Sequence, residues 1–144
     1  MTTIPASEPY VANTSGDRSR AVPLQAQGGS WGAFVFAGVW ALCNGVWFGA
    51  LSFLAVLAPL TMNSFPRLSW LALVIGVLVW GYLTVSGRHL AWTHKRWASY
   101  QQFRDAQRAW SVAAKLLFTL TLVAVICLGG FWMLLGQGLS HMNG

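Results

Sequence analysis

The chain has 144 residues, room for one domain. Only 8% of them are charged and 56% are apolar, with a net charge of +6; a soluble domain would carry about 25% charge. A water-soluble helical bundle is excluded by stretches such as "LALVIGVLVWGYLTV" (71–85), which offers no charged outer face.

Residues 1–30, "MTTIPASEPYVANTSGDRSRAVPLQAQGGS", are rich in Ser, Thr, Gln and Pro and have no helical period. They read as a flexible polar tail. A charged start leading straight into an apolar core is missing, so the tail is not expected to be a signal peptide. The first apolar run begins at Trp31, with Ser30 as its N-cap. It continues to about Thr61 and is taken as the first span, 31–61. A single helix of that length would measure about 46 Å, more than a hydrocarbon core of about 30 Å. The run therefore tilts, breaks near Asn44-Gly45, or starts as an interfacial segment; Trp31, Phe34, Trp40 and Trp47 favour the last.

Within this run Ala33, Ala37, Ala41, Gly45 and Gly49 recur at every fourth position. Such small-residue ridges let helix backbones approach closely. This one is read as packing within the chain or as a face for a second copy or another membrane subunit. Asn44 is the strongly polar residue deep in the run and is expected to hydrogen-bond across helices.

After a short loop, "TMNSFPR" (61–67), the second span covers 68–87. A third covers about 113–137, and the ending "GQGLSHMNG" is expected to fray. Between them lies a basic strip, 88–112. Six of the nine Lys and Arg residues fall between Arg88 and Lys115, while the loop between the first two spans has only Arg67. Positive charge near spans stays on the cytoplasmic side. The expected topology is three spans, with the N-terminus cytoplasmic and the C-terminus periplasmic.

The strip contains a capping box, Ser99-x-x-Gln102, which starts a helix at Tyr100. Arg104, Arg108 and Lys115 then fall within about 40° of one another, with aromatics on a neighbouring flank. Such a helix lies along a membrane surface or forms the stub of the next span. Trp92, Lys95, Arg96, Trp97, Arg104, Arg108, Trp110 and Lys115 are accordingly the expected membrane-interface residues, tryptophans among the headgroups and bases towards anionic phosphates.

Reactive chemistry is not legible. No Asp or Glu occurs between Arg18 and Arg104, which argues against proton relays and ion-coupled transport. There is no Ser/His/Asp set, no phosphate-binding glycine loop, and no paired-cysteine metal motif around Cys43 and Cys127. No catalytic residue, metal or cofactor is expected. The positive charge is assigned to topology and not to nucleic acid.

"WGAFVFAGVWALCNGVW" (31–47) and "GRHLAWTHKRWASYQQFRDAQRAW" (87–110) together resemble a group of small, uncharacterised bacterial inner-membrane proteins with a domain of unknown function. That group shares a Trp-rich first span and an Ala-Trp…Lys-Arg-Trp-x-Ser…Phe…Gln…Trp strip. The resemblance implies an inner-membrane location and supplies no activity.

The expected fold is an all-α membrane protein of three transmembrane helices, with an amphipathic interfacial helix between the second and third. The expected function is that of a non-catalytic accessory or assembly subunit of a larger inner-membrane complex. The alternatives are a small self-assembling, holin-like pore and a membrane immunity-type protein.

Overall fold

Ser30 starts the first helix as its residue type demands, its hydroxyl oxygen accepting the Ala33 N–H at 3.3 Å. The computed structural model describes residues 13–142, with side chains as far as Met133. Every regular element among the described residues is helical. The α-helices are α1 (Trp31–Cys43), α2 (Leu54–Leu57), α3 (Pro66–His94) and α4 (Tyr100–Met142).

The run 31–61 is not one helix. α1 is kinked at Ala37, whose φ of 41° lies in the left-handed region. Beside this kink the Trp80 indole N–H donates to Phe34 O at 2.8 Å, and the two rings stack with centroids 5.5 Å apart. α1 then stops at Asn44-Gly45. Val46 N–H donates to Ala41 O (2.8 Å) and Gly45 N–H to Leu42 O (3.1 Å), with Gly45 at φ 75°. This is the six-to-one and five-to-two pairing of a Schellman stop, which needs a residue tolerant of positive φ. A side chain at Gly45 would also meet His94 O at 3.0 Å.

The rest of the run is three short pieces: a 3-10 segment Trp47–Phe53, α2, and a 3-10 segment Ala58–Thr61 containing Pro59. They run back along α3. Gly49 fits against Ala41 and Leu83, Ala55 against Gly76, and the Thr61 hydroxyl lies 2.9 Å from that of Ser69.

Pro66 occupies the first turn of α3, where its missing N–H has no helical partner to lose. The helix passes the expected end at Gly87 and reaches His94. A tight turn leads to Ser99, whose hydroxyl accepts the Gln102 N–H at 3.1 Å. Gln102 Oε1 reaches back to the N–H of Ala98 (2.8 Å), one residue before its usual target. From Tyr100 the chain is helical to Met142, about 64 Å.

Two expectations are corrected here. Among the described residues, only α3 and α4 are helices long and apolar enough to cross a membrane; the 31–61 stretch supplies no third. There is also no separate interfacial helix: 88–94 closes α3, while 100–112 opens α4 and continues into its apolar half. No breaker residue separates Trp110 from Leu116, so nothing stops the helix there.

The core sits where α1 is wedged between the last turns of α3 and the first turns of α4. Trp40, Leu83, Trp92 and Phe103 are fully buried in it. Phe103 meets Trp92 edge-on at 5.1 Å and Trp97 at 5.5 Å. Beyond Ala114 this support ends, and every described side chain from Lys115 to Met133 is exposed.

Candidate membrane interface and its arginine cleft

Residues 13–30 are not a free tail. They form a strap across the basic end of the molecule; residues 1–12 lie outside the described part. Gly16 N–H donates to Trp92 O at 2.9 Å, and Gly16 takes φ 77° against the Arg96 backbone. Asn13 Nδ2 donates to Trp97 O (2.9 Å), and Trp97 N–H to Ser15 Oγ (2.9 Å). Further along, Ser30 N–H donates to Thr84 O and Arg88 N–H to Gly28 O. An Arg88 guanidinium nitrogen also donates to Gln25 O. Polar composition signals disorder only when the backbone groups find no partners. Here the carbonyls of Thr84 and Trp92 on α3 and of Trp97 just beyond it supply them.

On the strap, Asp17 is held below the usual carboxylate range by the Ser19 hydroxyl and then by the Ser19 N–H, with a smaller contribution from Arg20. Arg20 Nε lies 3.3 Å from its carboxylate.

The expected interface tryptophans divide. Trp92 is fully buried, its indole N–H donating to Thr14 Oγ1 at 3.1 Å. Trp97 is 5% exposed and donates to Ala91 O at 3.0 Å. Both are core residues, which corrects their assignment to the headgroup layer. Trp110 is half-buried against Phe36, the ring centroids 5.4 Å apart, in space that Gly32 leaves open. Of the tryptophans expected near the headgroups in the first run, Trp40 is fully buried while Trp31 and Trp47 are exposed, and the Lys115 ammonium stands 5.8 Å from the Trp31 ring centroid.

The bases remain at the surface. Lys95 donates to Cys43 O at 3.1 Å and lies 4.7 Å from the Trp97 ring centroid. Arg96 is exposed beside Gly16. Arg104 and Arg108 project from α4 into a cleft of about 390 Å³ that they share with Arg88, Gly29, Ser30, Trp31, Gln107 and Ser111. Among the described residues, no carboxylate lines it. Arg88 and Gln107 were missed as site residues in the sequence. Gln107 falls about 60° from Arg104 on the helical wheel, so its membership of the basic stripe was readable. Which element would face that stripe was not.

The small-residue ladder is consumed inside the molecule. Ala33 and Ala41 are fully buried, one against Gly87 and the other against Gly49. Ala37 sits at the kink and Gly45 at the helix stop, so neither belongs to a continuous helical ridge. Asn44, 1% exposed, donates through Nδ2 to Trp40 O (2.8 Å) and accepts from Gln107 Nε2 (3.2 Å).

Among the described residues, no group of three or more His, Cys, Asp or Glu side chains comes together as a metal site. No family model, curated protein or solved structure matches the chain.

Proposed function

We propose that the chain is an integral membrane protein, held by α3 and the apolar half of α4, and that it serves as a non-catalytic accessory or assembly subunit of a larger bacterial inner-membrane complex. The carrying observation is the bare stretch Lys115–Met133. Leu120, Val125, Ile126, Leu128, Phe131 and Trp132 are each half exposed or more and lie all around α4. A soluble monomer rarely exposes an apolar patch beyond a few hundred Å². Lipid or a partner's helices must cover this one.

The orientation follows from charge. Arg88, Lys95, Arg96, Arg104, Arg108 and Lys115 gather at one end with the strap's Arg18 and Arg20, and Arg67 stands alone at the other. The basic end is cytoplasmic by the positive-inside tendency. α4 then carries the C-terminus outward. The broken run Trp47–Thr61 accompanies α3, its Gly49, Ser52 and Ala58 turned inward. Irregular backbone at membrane depth needs such cover.

The test is alkaline extraction of membranes followed by purification in mild detergent. The chain is expected to stay with the membrane and then to co-purify with other membrane subunits. Release by the alkaline wash would sink the membrane reading; a lone monomer in detergent would sink the subunit reading. Cysteine labelling at Ser99 and Ser64, after replacement of the exposed Cys43 and Cys127, reads the orientation. Ser99 is expected to react from the cytoplasm and Ser64 from the opposite side.

A further inference from the structure

The arginine cleft does not stand alone. A second, apolar groove of about 390 Å³ is lined by Trp31, Phe34 and Thr84 together with Gly29 and Ser30. Gly29, Ser30 and Trp31 line both hollows, so the two adjoin at these residues. Thr84 precedes Arg88 by one turn of α3, about 6 Å along its axis. The groove therefore lies deeper in the apolar stretch, and the cleft lies at its basic end. We infer that the adjoining hollows form a binding site for one anionic phospholipid, its phosphate among Arg88, Arg104 and Arg108 and an acyl chain along Trp31 and Phe34.

Three features favour that chemistry. Guanidinium groups match phosphate oxygens in a two-point fork, and basic pockets between membrane helices are suited to lipid headgroups. Arg104 and Arg108, one turn apart on α4, bring two guanidinium groups to the same cleft. Finally, Arg88 Nε and Gln107 Oε1 are both buried without a hydrogen-bond partner among the described residues, although both side chains line the cleft. Gln107 is 6% exposed, and its Oε1 can only accept. With a small turn of either side chain towards the cleft, a headgroup hydroxyl beside the phosphate, as in a phosphatidylglycerol, would satisfy Gln107 Oε1, and the phosphate would accept from Arg88 Nε. Buried polar groups left without partners are uncommon in a native fold, and a ligand at this place accounts for two at once.

The inference rests on the membrane reading above, and the experiment separates the two. The full chain in mild detergent is titrated with dioleoyl phosphatidylglycerol or dioleoyl phosphatidylcholine, and bound lipid is counted by native mass spectrometry. The glycerol lipid is expected to bind about tenfold more tightly, the scale of one or two charge-assisted hydrogen bonds. Arg108→Gln, at an exposed position, should remove most of that preference; Arg96→Gln, outside the cleft, should leave it. Arg88→Gln should act like Arg108→Gln, and if it fails to fold then Arg108→Gln decides. Equal binding of both lipids would overturn the site, as would an Arg96→Gln loss matching that of Arg108→Gln. Competition by glycerophosphoglycerol or inorganic phosphate at the concentration of the lipid would mean a soluble-anion site, in which the apolar groove has no part. Retention of the chain in alkaline-washed membranes is independent of all these outcomes, so a negative lipid result leaves the membrane reading intact.

Discussion

Gln107 of α4 donates its side-chain amide to Asn44 Oδ1 over 3.2 Å, at the point where α1 stops. Both residues are buried, and Asn44 also caps its own helix through Trp40 O. One amide pair thus fixes the end of α1 against the flank of α4, beside the arginine cleft. Removing a single partner strands the other. Asn44→Ala and Gln107→Ala are each expected to cost about 1–3 kcal/mol, the penalty of an unsatisfied buried group. The double variant Asn44→Leu/Gln107→Leu should cost less than the sum of the single changes to Leu, because both polar groups go together. Unfolding in detergent measures this; strict additivity would mean that the pair is not coupled.

Gly49 and Gly81 make a matched comparison. A side chain at Gly49 would collide with Ala41 and press on Leu83, whereas one at Gly81 meets nothing within 4 Å. Gly49→Leu should therefore destabilise the monomer by roughly 1–3 kcal/mol, as overpacking does, while Gly81→Leu should be near neutral. If Gly49→Leu leaves unfolding unchanged and alters only the oligomeric state, the ladder faces outward and the packing described above is wrong.

Thr14 and Trp92 share one hydrogen bond, so either end can be cut. Thr14→Val and Trp92→Phe are both expected to loosen the strap, with a hydrogen-bond contribution of about 1 kcal/mol. Faster hydrogen exchange at Gly16, whose N–H donates to Trp92 O, is the readout. Unchanged exchange in Thr14→Val would show that the strap is held elsewhere.

Leu128 lies within the bare stretch of α4 and is 60% exposed. Leu128→Arg should raise the cost of insertion by about 2.5–3.5 kcal/mol, seen as loss of the chain from alkaline-washed membranes. Leu120→Ile, on the same stretch, should be silent. Full retention of Leu128→Arg would mean that this helix is not what holds the chain in the bilayer.

Much of the local structure was legible. Ser30 and Ser99 were readable as caps because a hydroxyl before an N–H-rich first turn has one evident use. Asn44-Gly45 carried a stop signal, yet the small-residue spacing across it pointed to a continuous ridge. The positive φ at Gly45 decided between the two, and a spacing rule does not contain φ. The aromatic-and-basic strip was legible as a composition. Its division was not: Trp92 and Trp97 turn inward while Trp31 stays outside, although all three are tryptophans.

By itself, then, the sequence determined what must be hidden from water and where positive charge would gather, since hydropathy and charge belong to each residue wherever the chain goes. Tertiary structure alone decided which helix faces met. It bent α1 at Ala37, drew residues 13–30 onto the end of α3, and set Arg88 opposite Arg104 and Arg108, residues separated by 16 and 20 positions in the chain. Those outcomes depend on which backbone carbonyls were left without helical partners and on which glycines left room for a neighbour. Both are properties of pairs of segments, and no single segment encodes them.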